Sequence, residues 1–292
     1  MALKGRSVPL DELPRHSPWP ARLLGAERAD ARARTEKGTF KQWEDETFGP
    51  LLRKLQREGI PPTVENILAR DAASCPEQFA YADGEFLVAP LPKVFYASQE
   101  VFSDFMARFL PCRQIVEMGA GSGRRSLLLA KDARFSSVRF TALEYTPGGR
   151  ELIRQGAAAE GVEIETGPCD FFSHEPASLS LDDNAVIFTS YAMHYVPWLS
   201  ESFFRWLGAL EPALVVHFEP FYGHIAEDTL FGLLRRRYIE FNDYNRNAIT
   251  LLHSMREAGE LEIVAEEEDR FGSNALLVGS LVAWRPASGM SR

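Results

Sequence analysis

A glycine-rich turn is the part of this sequence whose residue types and spacing are best suited to holding a ligand. Gly119, Gly121 and Gly123 follow the apolar run Gln114–Met118 and precede a helical pattern that begins at Arg125. Glycines let the backbone turn sharply and let a ligand approach the peptide planes without a Cβ in the way. The free N–H groups at the start of the following helix then face that ligand. We therefore predict a small-molecule site where this first strand ends.

Two common nucleotide-binding patterns do not fit the turn. The dinucleotide fingerprint G-x-G-x-x-G needs a third glycine where the chain has Arg124 in one frame and Ser126 in the other. A phosphate-binding P-loop needs Gly-Lys-Ser/Thr at a set distance, and the sequence does not supply it. A nicotinamide-dependent oxidoreductase remains one interpretation of this site, although Arg124 in place of the third glycine counts against it.

The pattern Glu117-x-Gly119-x-Gly121-x-Gly123 resembles motif I of the class I S-adenosylmethionine-dependent methyltransferases. S-adenosylmethionine carries no phosphate and has cationic sulfonium and ammonium groups, so a carboxylate at Glu117 is compatible with it. The resemblance extends over roughly residues 110–285. It implies a Rossmann-like fold, S-adenosyl-L-methionine as the cofactor, S-adenosyl-L-homocysteine as the product, and methyltransferase activity.

The same resemblance implies roles for residues that follow the later strands. Glu144 ends the second strand, where the family uses an acidic residue to bind both ribose hydroxyls, and Tyr145 would flank the adenine. Asp170 would accept a hydrogen bond from the adenine amino group, unless its side chain is needed for the backbone hydrogen bonds of its own turn. Phe171 would lie on the adenine ring. Ser190 begins the segment expected beneath the methionine moiety. The full set of implied cofactor-binding residues is Glu117, Gly119, Ala120, Gly121, Gly123, Glu144, Tyr145, Asp170, Phe171 and Ser190.

Two residues are candidates for a catalytic base. His194 follows the fourth predicted strand, close to where the transferred methyl would lie, and a purely structural histidine stays open as the alternative. Glu219 ends the fifth predicted strand and is the second candidate, with a structural role equally open. A base is needed only if the acceptor is protonated at working pH. The candidate substrate-binding residues, each of which could instead belong to the core or the surface, are Tyr191, Tyr195, Tyr222 and Asp243.

Strands and helices alternate after residue 112, which predicts a doubly wound, mostly parallel α/β sheet with helices on both faces. Residues 1–110 are predicted to form an extended arm and a mostly helical cap, and residues 111–292 the catalytic domain. Residues 220–259 are too long for a simple crossover, so they are predicted to form a two-helix insertion over the acceptor site. The predicted strands span 114–118, 138–143, 162–166, 185–190 and 213–218, followed by a closing pair at 262–267 and 276–285.

Composition restricts the classes of partner. The chain has 292 residues and a net charge of −9, from 32 Lys and Arg against 41 Asp and Glu, which argues against nucleic-acid binding. The longest apolar stretch, Ala275–Trp284, is about half of the ~20 residues that a membrane-spanning helix needs, so no membrane association is expected. No pair of histidines shows metal-ligand spacing, and the three cysteines form no paired pattern, so neither a metal nor a disulfide framework is expected.

These observations together favour a cytoplasmic enzyme without a targeting segment, and they leave a homodimer open. The expected reaction moves a methyl group to an O or N atom of a small polar or amino-acid-like molecule, in specialised metabolism. A cationic acceptor would suit carboxylates at Glu219 and Asp243. A non-catalytic subunit that binds S-adenosylmethionine is the alternative from a different class of protein.

Overall fold

The computed structural model describes residues 3–173 and 179–287. Within these ranges, ten strands form one mixed sheet. The strands are β1 (Arg6–Ser7), β2 (Glu77–Ala82), β3 (Glu85–Pro90), β4 (Gln114–Met118), β5 (Arg139–Leu143), β6 (Glu165–Gly167), β7 (Ala185–Ser190), β8 (Leu214–Glu219), β9 (Leu261–Gly272) and β10 (Gly279–Pro286).

The α-helices are α1 (Leu13–His16), α2 (Trp19–Leu23), α3 (Glu36–Phe40), α4 (Gly49–Glu58), α5 (Val64–Ser74), α6 (Leu91–Ala107), α7 (Arg124–Lys131), α8 (Pro147–Glu160), α9 (Glu201–Ala209), α10 (Leu230–Phe241) and α11 (Ala248–Glu257). A π-helix, Lys41–Phe48, joins α3 to α4, so that the chain is helical from residue 36 to residue 58. Among the described residues, no helix is long and apolar enough to cross a membrane.

The strand order is β1-β3-β2-β9-β10-β8-β7-β4-β5-β6. The five strands from β8 to β6 are parallel, which confirms the predicted doubly wound α/β core. The closing pair is antiparallel, and β10 lies between β8 and β9. Since parallel strands end at the same edge, the loops that follow β4, β5, β7 and β8 meet in one place.

The centre of the sheet is buried on both faces, as the nearly continuous apolar run of β7 predicts. Phe188 packs against Phe102 of α6 on one face, with ring centroids 4.9 Å apart. Its neighbour Ile187 belongs to the core of the other face, together with Phe203 of α9 and Leu252 of α11. Successive residues of one strand thus anchor helices on opposite sides of the sheet.

The N-terminal region contains the predicted helices and also three strands that the sequence analysis does not predict. Strands β2 and β3 form a hairpin whose turn residues, Asp83 and Gly84, have φ angles of 49° and 86°. Positive φ at both turn positions is typical of a two-residue hairpin turn, for which Asp-Gly is a favoured sequence. β2 then pairs with the end of β9, so this hairpin extends the antiparallel side of the sheet.

The two helices predicted between residues 220 and 259 are confirmed as α10 and α11. Thr229 caps α10 by accepting a hydrogen bond from the Gly232 N–H. The buried Arg235 of α10 donates to both carboxylate oxygens of Asp269 on β9, at 2.6 Å each. This two-bond ion pair ties the insertion to the antiparallel part of the sheet.

Candidate active site

A cavity of about 530 Å³ lies between the carboxyl ends of the parallel strands and the N-terminal helices. Twelve of the sequence-predicted site residues are among the described residues that line it: Glu117, Gly119, Ala120, Gly121, Glu144, Tyr145, Asp170, Phe171, Ser190, Tyr191, His194 and Tyr195. The other four predicted residues are not among them: Gly123, Glu219, Tyr222 and Asp243.

The glycine turn requires glycine at each of its three positions. Gly119, Gly121 and Gly123 have φ angles of 76°, 58° and 74°, which side chains other than that of glycine rarely adopt. A Cβ at Gly119 would lie 2.5 Å from the Cβ of Ala192, and one at Gly123 would lie 2.7 Å from Ile153. The first clash is with the loop after β7 and the second is with α8. The turn is therefore packed closely against both of its neighbours.

Glu144 is buried beside this turn and accepts three hydrogen bonds from the protein. Its Oε2 accepts from the Gly121 N–H at 2.8 Å, and its Oε1 accepts from the Thr146 N–H and hydroxyl at 2.9 and 2.8 Å. Burial raises the pKa of Glu144, while these hydrogen bonds act in the opposite direction. Glu144 thus fixes the glycine turn and the start of α8 while it lines the cavity.

Glu117 lies below the turn, within β4. Its Oε2 accepts from the backbone N–H and the hydroxyl of Ser126, at 3.2 and 2.5 Å, in the first turn of α7. Burial raises the pKa of Glu117 to about 7, against the lowering effects of Ser126 and Arg125. Its carboxyl group is therefore a buried acid that titrates near neutrality.

Three more of the predicted cofactor residues line the cavity: Asp170, Phe171 and Ser190. Asp170 uses Oδ1 to accept from the Phe172 N–H at 2.8 Å, which is the turn-forming role that the sequence analysis left open. Phe171 packs against Phe203 with ring centroids 5.8 Å apart. The Oγ of Ser190 is buried and has no hydrogen-bond partner among the described residues. A buried hydroxyl without a partner beside a cavity is suited to a polar ligand.

A helical lid, defined here as residues 36–58, closes the cavity on the side of the glycine turn. Phe48 lies over the glycine turn, and a Cβ at Gly121 would come within 3.2 Å of its ring. Glu44 accepts a hydrogen bond from the Gly148 N–H at 2.7 Å. Phe40 packs edge-on against Tyr145, with ring centroids 5.3 Å apart. The lid therefore contacts both the glycine turn and the loop after β5.

The π-helical part of the lid has a local cause. Pro50 has no N–H, and its ring would clash with the carbonyl oxygen four residues earlier in a regular α-helix. The Gly49 N–H instead bonds to the carbonyl oxygen of Glu44, five residues back. A Cβ at Gly49 would lie 2.7 Å from that oxygen, so glycine permits the wider turn. The wider turn contains the lid residues Trp43 and Phe48, which line the cavity.

His194 and Glu219 form a buried pair. The His194 Nδ1 lies 3.2 Å from Glu219 Oε2, while Oε1 accepts from the N–H groups of Ala192 and Met193 at 2.9 and 3.0 Å. The other ring nitrogen of His194, Nε2, is buried and has no partner among the described residues. Glu219 therefore positions His194, which itself lines the cavity.

The protonation states of this pair follow from its surroundings. Burial lowers the pKa of His194, even though Glu219 acts in the opposite direction. Burial alone would raise the pKa of Glu219, but the hydrogen bonds from His194 and the two backbone N–H groups outweigh it and hold that pKa below its ordinary value. A neutral imidazole that donates from Nδ1 to a carboxylate leaves a lone pair on Nε2.

The insertion supports His194 from behind. Tyr244 packs edge-on against the imidazole, with ring centroids 4.7 Å apart, and the Asn245 N–H donates to the carbonyl oxygen of His194 at 2.8 Å. No residue of 220–259 is among the described residues that line the cavity. Tyr222 donates to Glu240 at 2.7 Å, and Asp243 accepts from the N–H of Arg34 at 2.9 Å, so both have partners elsewhere.

Arg125 is a site residue that the sequence analysis leaves without a role. Its guanidinium donates to Ser98 Oγ at 3.0 Å and Gln99 Oε1 at 3.2 Å, and it lies 5.0 Å from the ring centroid of Phe218. Burial lowers its pKa to about 10. Among the described residues, no carboxylate forms an ion pair with Arg125, whereas the neighbouring Arg124 pairs with Asp71 at 2.8 Å. Its place directly after the glycine turn is the signal that could have found it.

Comparisons with known proteins establish the fold. No protein-family model matches the chain, and no curated protein matches it by sequence. The [4+2]-cyclase SpnF matches with a TM-score of 0.53 and 14% identity, over 90% of this chain and 100% of that one. A protein assigned as a sarcosine dimethylglycine methyltransferase from Galdieria sulphuraria matches with a TM-score of 0.51 and 12% identity, over 70% of this chain and 89% of that one.

The mitomycin 7-O-methyltransferase MmcR matches at 17% identity and a TM-score of 0.46, over 67% of this chain and 56% of that one. The aligned region therefore spans little more than half of the mitomycin enzyme. The fold of this chain is that of the class I S-adenosylmethionine-dependent methyltransferases, as its motif I predicts.

Replacing Glu117 by Gln should remove a pH dependence of stability. Since the folded pKa of Glu117 is about 7 and the ordinary value is 4.5, the folded chain keeps a proton that the unfolded chain loses between these values. The stability of the wild type therefore falls as pH rises through this window. We expect the free energy of unfolding of Glu117→Gln, relative to wild type, to increase by about 2 kcal/mol from pH 5 to pH 8.

Urea denaturation at both pH values measures this difference. The control is Glu257→Gln, because Glu257 is exposed at the end of α11 and should show no such change. A Glu117→Gln difference that is the same at pH 5 and pH 8 would contradict the buried-acid description.

Proposed function

We propose that this protein is a methyltransferase that moves the methyl group of S-adenosylmethionine to a hydroxyl oxygen of a small molecule. The observation that carries the proposal is the buried His194–Glu219 pair, whose histidine lines the same cavity as the glycine turn and Glu144. A neutral histidine held by an ionised carboxylate is the usual arrangement for a base that takes a proton from a hydroxyl.

The donors and acceptors around the turn suit S-adenosylmethionine. The turn leaves no room for side chains, and the Ser190 hydroxyl lacks a partner among the described residues. Glu144 Oε2 accepts one hydrogen bond, from Gly121, and so keeps an acceptor position for a ribose hydroxyl. Arg124 stands where the dinucleotide fingerprint needs its third glycine, which disfavours the nicotinamide-dependent oxidoreductase. S-adenosylmethionine, when bound, supplies a methyl group on a sulfonium that needs no further activation.

The chain's own residues then have to position the acceptor, remove its proton and exclude water. Alignment of the two reacting groups alone is worth about 7–11 kcal/mol. Nε2 of His194 would accept the hydroxyl proton, and Glu219 would stabilise the resulting imidazolium through Nδ1. Trp43 and Phe48 of the lid cover the cavity with apolar rings, which keeps water from competing with the acceptor.

The positions of Glu219 and Asp243 bear on the acceptor predicted from sequence. A cationic acceptor was expected to contact these two carboxylates, yet neither is among the described residues that line the cavity, and Asp243 bonds to Arg34 and Arg246. These contacts favour a neutral hydroxyl compound over a cationic amine.

Replacing Glu144 by Gln should weaken binding of S-adenosylhomocysteine by at least about tenfold, because a charged acceptor of hydrogen bonds becomes a neutral one. Isothermal titration calorimetry measures the affinity. The control is Glu151→Gln on α8, since Glu151 pairs with the exposed Arg154 away from the cavity. Equal affinities of wild type and Glu144→Gln would contradict the assignment of the ribose site.

Replacing His194 by Gln should lower kcat by a factor of about 10² to 10⁴ on a hydroxyl acceptor, with the affinity for S-adenosylhomocysteine unchanged. Acceptors are found by transfer of radiolabelled methyl to a panel of small hydroxy and amino compounds. Glu219→Gln should give a smaller loss of kcat and a shifted pH profile, because it positions His194 without touching the acceptor. If His194→Gln keeps wild-type kcat, or if cofactor binds and no hydroxyl compound is methylated, the proposed reaction is wrong, and a cyclase or a non-catalytic subunit becomes the better interpretation.

Arg125 should pair with the carboxylate of the cofactor's methionine moiety. A buried cation without a carboxylate partner gains most from an anionic ligand, so Arg125→Gln should weaken S-adenosylhomocysteine binding by about tenfold or more. Binding of 5′-methylthioadenosine, which lacks the amino-acid part, should not change. Arg124→Gln is the matched control, since Asp71 already pairs with it. Equal losses for both ligands, or no loss for either, would show that Arg125 has another role.

A further inference from the structure

A second cluster of potential ligand side chains lies outside the described lining of the cavity. His224 follows β8 in a short 3-10 helix, His253 is on α11 and Glu266 is on β9. The His224 Nε2 lies 2.8 Å from Glu266 Oε1, and the His253 Nε2 lies 2.9 Å from the same oxygen and 3.1 Å from Oε2. Three elements that are distant in sequence therefore bring two imidazole nitrogens and a carboxylate together.

These donor types match a transition-metal site. Two histidines and one glutamate are a known ligand set for zinc, which leaves a fourth tetrahedral position for water. The donor atoms all lie within 4.8 Å of one another. Neighbouring donors of a tetrahedral zinc ion are about 3.3 Å apart, given metal–ligand distances of about 2.0–2.1 Å. Each Nε2 atom would have to move away from Glu266 Oε1 by roughly half an ångström to admit the ion.

The surroundings favour binding through Nε2 of His224. Its Nδ1 lies 2.9 Å from the hydroxyl of Ser280, which also accepts from the Asp269 N–H at 3.0 Å. A partner on the second ring nitrogen fixes the orientation of a metal-binding histidine. The side chain of His224 is only 3% exposed, whereas that of His253 is 36% exposed, so the site is anchored on one side and open to ions on the other.

We propose that His224, His253 and Glu266 bind one zinc ion that clamps the 3-10 helix after β8 and helix α11 to strand β9. Without the ion, both imidazoles donate N–H groups to the Glu266 carboxylate. With the ion, the Nε2 lone pairs and the carboxylate become ligands, and the His224 proton resides on Nδ1 facing Ser280. The site does not depend on the proposed methyltransferase activity, because its ligands are not among the described residues that line the cavity.

The test uses the untagged, full-length protein after treatment with EDTA. Titration with Zn²⁺ should show one ion bound per chain, and excess Zn²⁺ should raise the Tm by about 5 °C because the ion binds the folded state. Co²⁺ should give the visible absorption of a four- or five-coordinate ion with nitrogen ligands. Mg²⁺ should neither compete nor stabilise, since it prefers all-oxygen octahedral sites.

Two ligand variants and one control complete the test. His253→Ala and Glu266→Gln should each weaken Zn²⁺ binding by at least tenfold and abolish the Co²⁺ spectrum. His16→Ala removes a histidine that lies 3.7 Å from a single carboxylate, that of Glu12, and it should bind Zn²⁺ like the wild type. A wild type that binds no Zn²⁺ at a ratio of one, or wild-type affinity in both ligand variants, would overturn the proposal. Weaker binding in His253→Ala supports it even if Glu266→Gln fails to fold.

Discussion

Burial of carboxylates at one edge of the sheet is the constraint on which the rest of the site depends. Glu117, Glu144 and Glu219 lie at or just after the ends of β4, β5 and β8, and each is almost completely buried. A buried carboxylate is costly unless it accepts hydrogen bonds. The available donors are backbone N–H groups and hydroxyls of the adjoining loops, so meeting this requirement also fixes the glycine turn, the start of α8 and the loop that carries His194.

The lid and the insertion act on this edge in different ways. The lid, residues 36–58, places Phe48 over the glycine turn and Trp43 against the ring of Tyr195. The insertion instead packs Tyr244 behind His194, where it holds the imidazole and contributes none of the described cavity lining. One element therefore encloses the cavity while the other fixes the orientation of the proposed base. The fold alone does not select the reaction, since it is similar to that of a [4+2]-cyclase. A proposal about the reaction therefore has to rest on the side chains at the cavity.

Local sequence patterns are sufficient to predict the alternating core and the place of the ligand site. The short apolar run Ala185–Ser190 predicts a strand buried on both faces, and the glycines at 119, 121 and 123 predict a sharp turn with room for a ligand. Both signals are local, because a strand's period and a turn's φ angles depend on neighbouring residues. The Asp83-Gly84 turn is an equally local signal, but its two strands are short and lie between segments with helical periodicity.

Which distant groups meet depends on tertiary packing. His194 and Glu219 were separate candidates for one role, and their 3.2 Å contact makes one the base and the other its support. Arg125 became a site residue because α7 points its guanidinium at Ser98 of α6 and not at solvent. The residues His224, His253 and Glu266 lie 29 and 13 positions apart in the chain, and this spacing does not indicate a metal site. Such relations depend on the packing of whole elements, which no pattern of neighbouring residues encodes.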